Sequence, residues 1–325
     1  MIADLLPTED QTLVQDSIAS FLADRLPVER LGAETTAGGA AERACWAELT
    51  ALGLFGLGLP EARGGVGYGL PEEVIAAREL GRALASPTVL ATILAVHLAA
   101  DQPDLVAKFA NGETRAAFAN RLEPDGLAVQ LLDAEGADHL VIWDEAGATL
   151  IPAASASQRT VRPAMDETVQ VERAALADEG LKGGIKLALR ADVLACAYLT
   201  GTAEATLAMA VEYAKVRRQF DQPIGAFQSI KHACADMAVR AEAARALTYY
   251  AALALETEAP GYAAEVAAAR LIARRAAIEN AKVNIQVHGA MGFTQESAAH
   301  LYLKRAHLIA ALNASLGRDL ARLNP

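Results

Sequence analysis

The chain has 325 residues, 53% of them apolar, which is enough to bury a substantial core and too apolar for a disordered chain. Its 40 acidic and 29 basic residues leave a net charge of -11, which argues against nucleic acid or an anionic membrane as a partner. Cys45, Cys196 and Cys234 are odd in number and far apart in apolar or Ala-rich stretches, so they read as buried thiols of a cytoplasmic protein and not as a disulfide framework.

The opening MIADLLPTED has no basic segment and no long apolar core, so no signal peptide is expected. Thr8 and Gln11 are spaced as a capping box, which predicts a helix start, and Leu13, Val14, Ile18, Phe21 and Leu22 continue it until Pro27 limits it. The segment 45–57 repeats the helical pattern with Cys45, Trp46, Leu49, Leu52 and Leu54. Gly64, Gly65, Gly67 and Gly69 then mark a turn between helices, since their spacing does not match a dinucleotide fingerprint and no strand precedes them. Helices are predicted over 71–85 and 88–101, with Pro71 and Pro87 as start signals. The Ala/Leu-rich stretch 88–100 ends at Asp101, too short to span a membrane.

Between about 113 and 177 short β-favouring runs replace the helical period, at 139–143, 149–151 and 168–171, separated by Asp, Gly and Pro. From about 179 the helical period returns over 185–216, 226–256, 262–287 and 296–322, punctuated at Pro223, Pro260, Gly261 and Gly289 to Gly292. Phe227, Ile230, Cys234 and Met237 fall on one face of the second of these helices. The expected fold is mainly α: an N-terminal helical domain (1–112), a small, shortened β domain (113–178) and a C-terminal antiparallel four-helix bundle (179–325).

Two motifs then carry a more specific message. The run Arg217, Arg218, Gln219, Phe220 to Gln228, followed by Lys231 to Met237, resembles the signature joining the first two bundle helices of acyl-CoA dehydrogenases. The run Gln286, Val287, His288, Gly289 to Glu296 is similar to that family's turn before the last helix, and Leu52 to Pro60 with Glu79 to Arg82 is similar to its first domain. The resemblance implies FAD as cofactor, an acyl-CoA thioester as substrate and electron-transfer flavoprotein or a similar acceptor. It assigns Arg217, Phe220, Gln228, Gln286 and Gly289 to the ADP half of an FAD that lies mainly on a neighbouring subunit. Guanidinium donors suit a pyrophosphate, and a glycine permits close backbone approach. Ala290 stands where the family commonly has a second glycine.

The family's chemistry needs a carboxylate to take the α-proton of the thioester while the β-hydrogen leaves as hydride. Its two known placements fall at Asn313 and Ala191, neither of which is a base, with Asp192 beside the second as a capping or surface carboxylate. The β region also departs, because Phe118 to Gly126 runs almost directly into Ala137 to Val141, leaving little of the family's flavin cradle. Trp143 reads as core packing. No metal site is expected: there is no HExxH, and His300 and His307 lack clustered acidic or thiol partners. No GxSxG elbow, P-loop or CxxC pair is present either.

The resemblance thus implies a catalytic-base-lacking subunit that works in a heteromer with a longer homologue, like the short subunits of heterotetrameric acyl-CoA dehydrogenases of bacterial steroid degradation. A steroid-derived acyl-CoA is the substrate this suggests. Two other readings stay open at this stage: a catalytically silent acyl-CoA-binding or scaffold protein of the same fold, and a self-sufficient homodimer using Asp192.

Overall fold

The computed structural model describes residues 6–31, 39–123, 126–177, 179–313 and 316–323. The N-terminal helices are α1 (Glu9–Arg25), α2 (Ala40–Ala44), α3 (Trp46–Ala51), α4 (Leu70–Arg82), α5 (Pro87–Leu98) and α6 (Pro103–Ala110). The capping box is present as predicted: Gln11 N–H donates to Thr8 Oγ1 at 3.1 Å and Thr8 N–H to Gln11 Oε1 at 3.0 Å. The single helix expected over 45–57 is instead broken into α3 and a 3-10 turn, Leu54–Gly56. Gly53 separates them with a φ of 76°, a left-handed conformation that ends the helix.

A seven-stranded mixed sheet follows: β1 (Ala116–Arg121), β2 (Ala128–Leu132), β3 (His139–Trp143), β4 (Ala148–Pro152), β5 (Ala156–Arg162), β6 (Val171–Leu176) and β7 (Leu181–Gly183). Its order is β5-β6-β2-β1-β3-β4-β7, and only β1 and β3 pair in parallel among those described. Alternation divides the strands between two cores. Phe118, Val141, Trp143 and Leu150 join the helices, whereas Ala117, Leu131, Leu140 and Ile142 belong to a second core made of residues from the sheet region itself. The strand expected at 168–171 begins only at Val171, because Asp166 Oδ1 accepts both the N–H and the hydroxyl of Thr168 and folds that segment into a turn.

The C-terminal helices are α7 (Ile185–Val216), α8 (Gln228–Glu256), α9 (Tyr262–His288), α10 (Ala299–Ala310) and α11 (Leu316–Leu323), with a two-stranded hairpin, β8 (Arg218–Gln219) and β9 (Gln222–Pro223), between α7 and α8. The one long helix expected over 296–322 is therefore two, and the break falls at Asn313, whose φ is 48°. By length and composition α7 is apolar enough to cross a membrane, yet 72% of its most apolar window is buried inside the fold, where it packs on α4, α8 and α9. Its apolarity is that of a central core helix.

Buried polar side chains join the layers. Asp133, 1% exposed, accepts from Ser86 Oγ at 2.6 Å and from the Gln170 N–H at 2.7 Å. Burial pushes its carboxyl up to about 6, against the pull of those hydrogen bonds and of Arg305. The folded chain then holds a proton that the unfolded chain releases above about pH 4, so stability falls as pH rises from about 4 to about 6. Asp133→Asn keeps an acceptor for Gln170 and removes the titration. It is expected to flatten that slope and to stabilise the protein at neutral pH by about 2 kcal/mol, measured by urea unfolding at pH 4.5 and pH 7.

Candidate functional site

One end of the bundle gathers both C-terminal motifs. The last turn of α7, the first turns of α8 and the end of α9 meet through a small core that includes Ala214, Met237 and Val287, flanked by Ile230, Cys234 and Val283. Of the face predicted for α8, Met237 is buried, while Phe227, Ile230 and Cys234 are only half-buried; Cys234 is thus less shielded than the buried Cys45 and Cys196. Burial pushes the Cys196 thiol up to about 12, which leaves it inert.

From this end the motif side chains project outward. Arg217 closes α7 with its N–H bonded to Tyr213 O and is itself exposed, as are Gln228 and Gln286. Phe220 and Asp221 form the two-residue turn of the hairpin, with φ of 51° and 63°, which lifts the Phe220 ring out to 84% exposure. Gly289 ends α9 with φ 60° and ψ -137°, and an added Cβ would meet no atom within 4 Å, so its backbone faces open space. Beneath it His288 stacks on Tyr213, with ring centroids 4.1 Å apart, and its Nδ1 is 2.8 Å from Asn284 O.

The two positions where the family resemblance puts a base lie elsewhere, under the sheet. Ala191 is 2% exposed and Asp192 1% exposed, both inside α7, so Asp192 is neither a cap nor a surface carboxylate. Asp192 Oδ1 accepts from Trp143 Nε1 at 2.9 Å and from Arg270 Nη1, and lies 3.4 Å from Asn313 Nδ2. Arg270 also donates to Asp319 and, at 2.8 Å, to the Asn313 carbonyl. Asn313 N–H donates to Asn120 Oδ1 at 3.1 Å. Trp143 packs in the core as expected, 5.1 Å from Phe118, and additionally holds Asp192. Sequence reasoning missed Arg270 and Asp319, although a charged residue amid the Ala-rich run of α9 was a usable signal that it needed a buried partner.

Asp192 is thus a 1% exposed carboxylate engaged by a guanidinium and an indole, and not a cap or a surface group. The Pro124 and Asp125 part of the expected cradle turn lies outside the described residues. Among the described residues no group of three or more His, Cys, Asp or Glu is placed to hold a metal ion. His300 is half-buried, 3.9 Å from Glu167, and His307 is exposed.

Two family models match this chain, the acyl-CoA dehydrogenase N-terminal domain over residues 8–122 and the acyl-CoA dehydrogenase C-terminal domain over residues 190–313. It is 33% identical over 326 aligned positions to acyl-CoA dehydrogenase IpdE2 of Mycobacterium tuberculosis, covering 98% of each chain. The chain belongs to the acyl-CoA dehydrogenase family. Its fold is similar to butyryl-CoA dehydrogenase from Megasphaera elsdenii, with a TM-score of 0.81, 22% identity and 99% of each chain covered. It is also similar to a chain of the ChsE4-ChsE5 complex from Mycobacterium tuberculosis, with a TM-score of 0.83 at 23% identity over 99% of this chain and 98% of that one. The family is one of FAD-dependent oxidoreductases, and FAD is the cofactor this acyl-CoA dehydrogenase homologue implies.

Proposed function

We propose that this chain is the base-lacking subunit of a heteromeric acyl-CoA dehydrogenase, and that it lends the ADP half of the FAD site to a longer homologous partner. The observation that carries the reading is a contrast within one molecule. Positions 191 and 313 hold a buried Ala and a hydrogen-bonded Asn, while Arg217, Phe220, Gln228, Gln286 and Gly289 sit together and outward at the bundle end.

Those residues fit a dinucleotide's diphosphate half. Arg217 would supply a cation for the pyrophosphate, Gln228 and Gln286 amide donors and acceptors, and the open backbone at Gly289 would admit close approach. Phe220, held out by its turn, would offer an apolar surface to the bound nucleotide. FAD, when bound, supplies the hydride acceptor for α,β-desaturation of an acyl-CoA thioester. The partner provides the base and the flavin cradle, and electron-transfer flavoprotein or a similar acceptor reoxidises the flavin. The ChsE4-ChsE5 structure is that of a complex of two named components, and another similar fold is described as a steroid acyl-CoA dehydrogenase, which supports a steroid-derived acyl-CoA as the substrate here.

The test is to co-express the chain with a longer homologue encoded by a neighbouring gene and measure FAD per complex. Arg217→Ala is expected to weaken FAD retention about tenfold or more while the complex still assembles on gel filtration. Unchanged FAD content in the variant complex, or stoichiometric FAD and activity from the isolated chain, would overturn the reading. The first of these outcomes favours a silent scaffold of the same fold.

A further inference from the structure

The cluster around Arg270 has the form of a lock. All three guanidinium nitrogens of Arg270 are engaged, each by a different part of the chain: Nη1 by Asp192 of α7, Nε by Asp319 of α11 at 3.1 Å, and Nη2 by the Asn313 carbonyl at 2.8 Å. Asp192 and Asn313 carry the connection onward to β3 through Trp143 and to β1 through Asn120. The Arg322 guanidinium of α11 comes to 3.9 Å from Asp192, so two cations face two carboxylates, with the half-buried Arg274 of α9 as a flanking third cation. The side chains of Arg270, Asp192 and Asp319 are 5%, 2% and 0% exposed.

Charges this deeply buried are a poor source of stability, since apolar residues of similar volume would hold the same elements at least as firmly. What a forked guanidinium with three directional acceptors does supply is a single permitted arrangement of the parts it joins. Here the parts are the bundle core, the turn carrying position 313, and the short helix that closes over it. The cluster also takes in Asn313 and Asp192, at and beside the two positions where the family resemblance puts a base.

We propose that Arg270 is an internal latch that holds α11 shut and keeps the interior around positions 192 and 313 closed. The inference rests on the geometry around Arg270 and stands whether or not the chain contributes to an FAD site. It has a direct chemical corollary. A carboxylate introduced at position 313 replaces the Asn313 Nδ2 donor, 3.4 Å from Asp192 Oδ1, with a second anion, so it meets like-charge repulsion from Asp192 and gains no open cleft to work in.

Hydrogen–deuterium exchange of the full chain tests the latch, with α8 as the internal reference. Asp319→Asn removes one charge without changing shape, and is expected to speed amide exchange over Asp319 to Leu323 on the order of a hundredfold while α8 is unaffected. Arg270→Lys keeps the charge but not the fork, and is expected to speed the same amides, because one ammonium cannot satisfy three acceptors fixed in different directions. Unchanged exchange over Asp319 to Leu323 in both variants overturns the proposal, and so does an equal rise in α8. Should Arg270→Lys fail to fold, Asp319→Asn decides alone, since its substitution lies on the terminal helix.

Discussion

Arg305→Met is expected to destabilise the protein by about 3–5 kcal/mol, the cost of removing one partner from a buried ion pair. Arg305 is 1% exposed and every nitrogen of its guanidinium is used: Nε donates to Asp166 at 2.6 Å, Nη2 to Thr168 Oγ1 at 2.8 Å, and Nη1 to Tyr198 Oη at 2.8 Å and to the carbonyls of Leu84 and Ala85. It therefore ties α10 to the turn before β6, to the α4–α5 connection and to α7. Met fills the volume but leaves the Asp166 carboxylate, 1% exposed, without its cation. The change is read as a drop in the urea midpoint followed by circular dichroism. Arg305→Lys separates charge from geometry: it restores a cation for Asp166 but leaves the carbonyls of Leu84 and Ala85 short of donors, and is expected to recover only part of the loss. Full recovery by Lys would show that charge alone holds this junction.

The second large effect is expected where α4 crosses α7. A Cβ on Gly201 would lie 1.9 Å from the Arg78 carbonyl oxygen, and one on Gly81 would lie 2.0 Å from the Tyr198 carbonyl oxygen. The obstruction is backbone on both sides, so no side-chain rotation relieves it. Ala is favoured over Gly within a helix by about 1 kcal/mol, so propensity alone predicts that Gly201→Ala stabilises the protein. Separating two packed backbones reverses the sign: overpacking at a rigid contact costs typically 1–3 kcal/mol and more where nothing can move. The net expectation for Gly201→Ala is a loss of about 3 kcal/mol, with a lower urea midpoint and weakened protection of Tyr198 and its neighbours in α7. A stabilised Gly201→Ala protein would mean that the two helices tolerate separation.

These two junctions show where sequence reading reaches its limit. The helices were legible because their apolar positions recur with a local period, and the Thr8 capping box was legible because its signal lies within a few residues; the hairpin at Phe220 was not read. The break at Gly53 and the turn at Asn313 were not, since the neighbouring residues keep a helical pattern and only the packing of the next element selects the left-handed backbone. β5 escaped notice for a related reason: it is an exposed edge strand with no apolar alternation to announce it.

At the bundle end that carries both C-terminal motifs, Arg217, Phe220, Gln228, Gln286 and Gly289 were picked out through the resemblance of their motifs to the family, not through any local period. Their convergence on one face-exposed end of the bundle came from the fold. The opposite holds at position 313. The sequence by itself determined that Asn313 and Ala191 are not bases, a matter of chemistry that no environment alters. What takes the base's place was decided only by tertiary structure, since Asp192, Arg270 and Asp319 are separated by 78 residues in one case and 49 in the other, and their interaction depends on burial at a common point. Ionic contacts carry no sequence period, so a buried charge states that it needs a partner without saying which one.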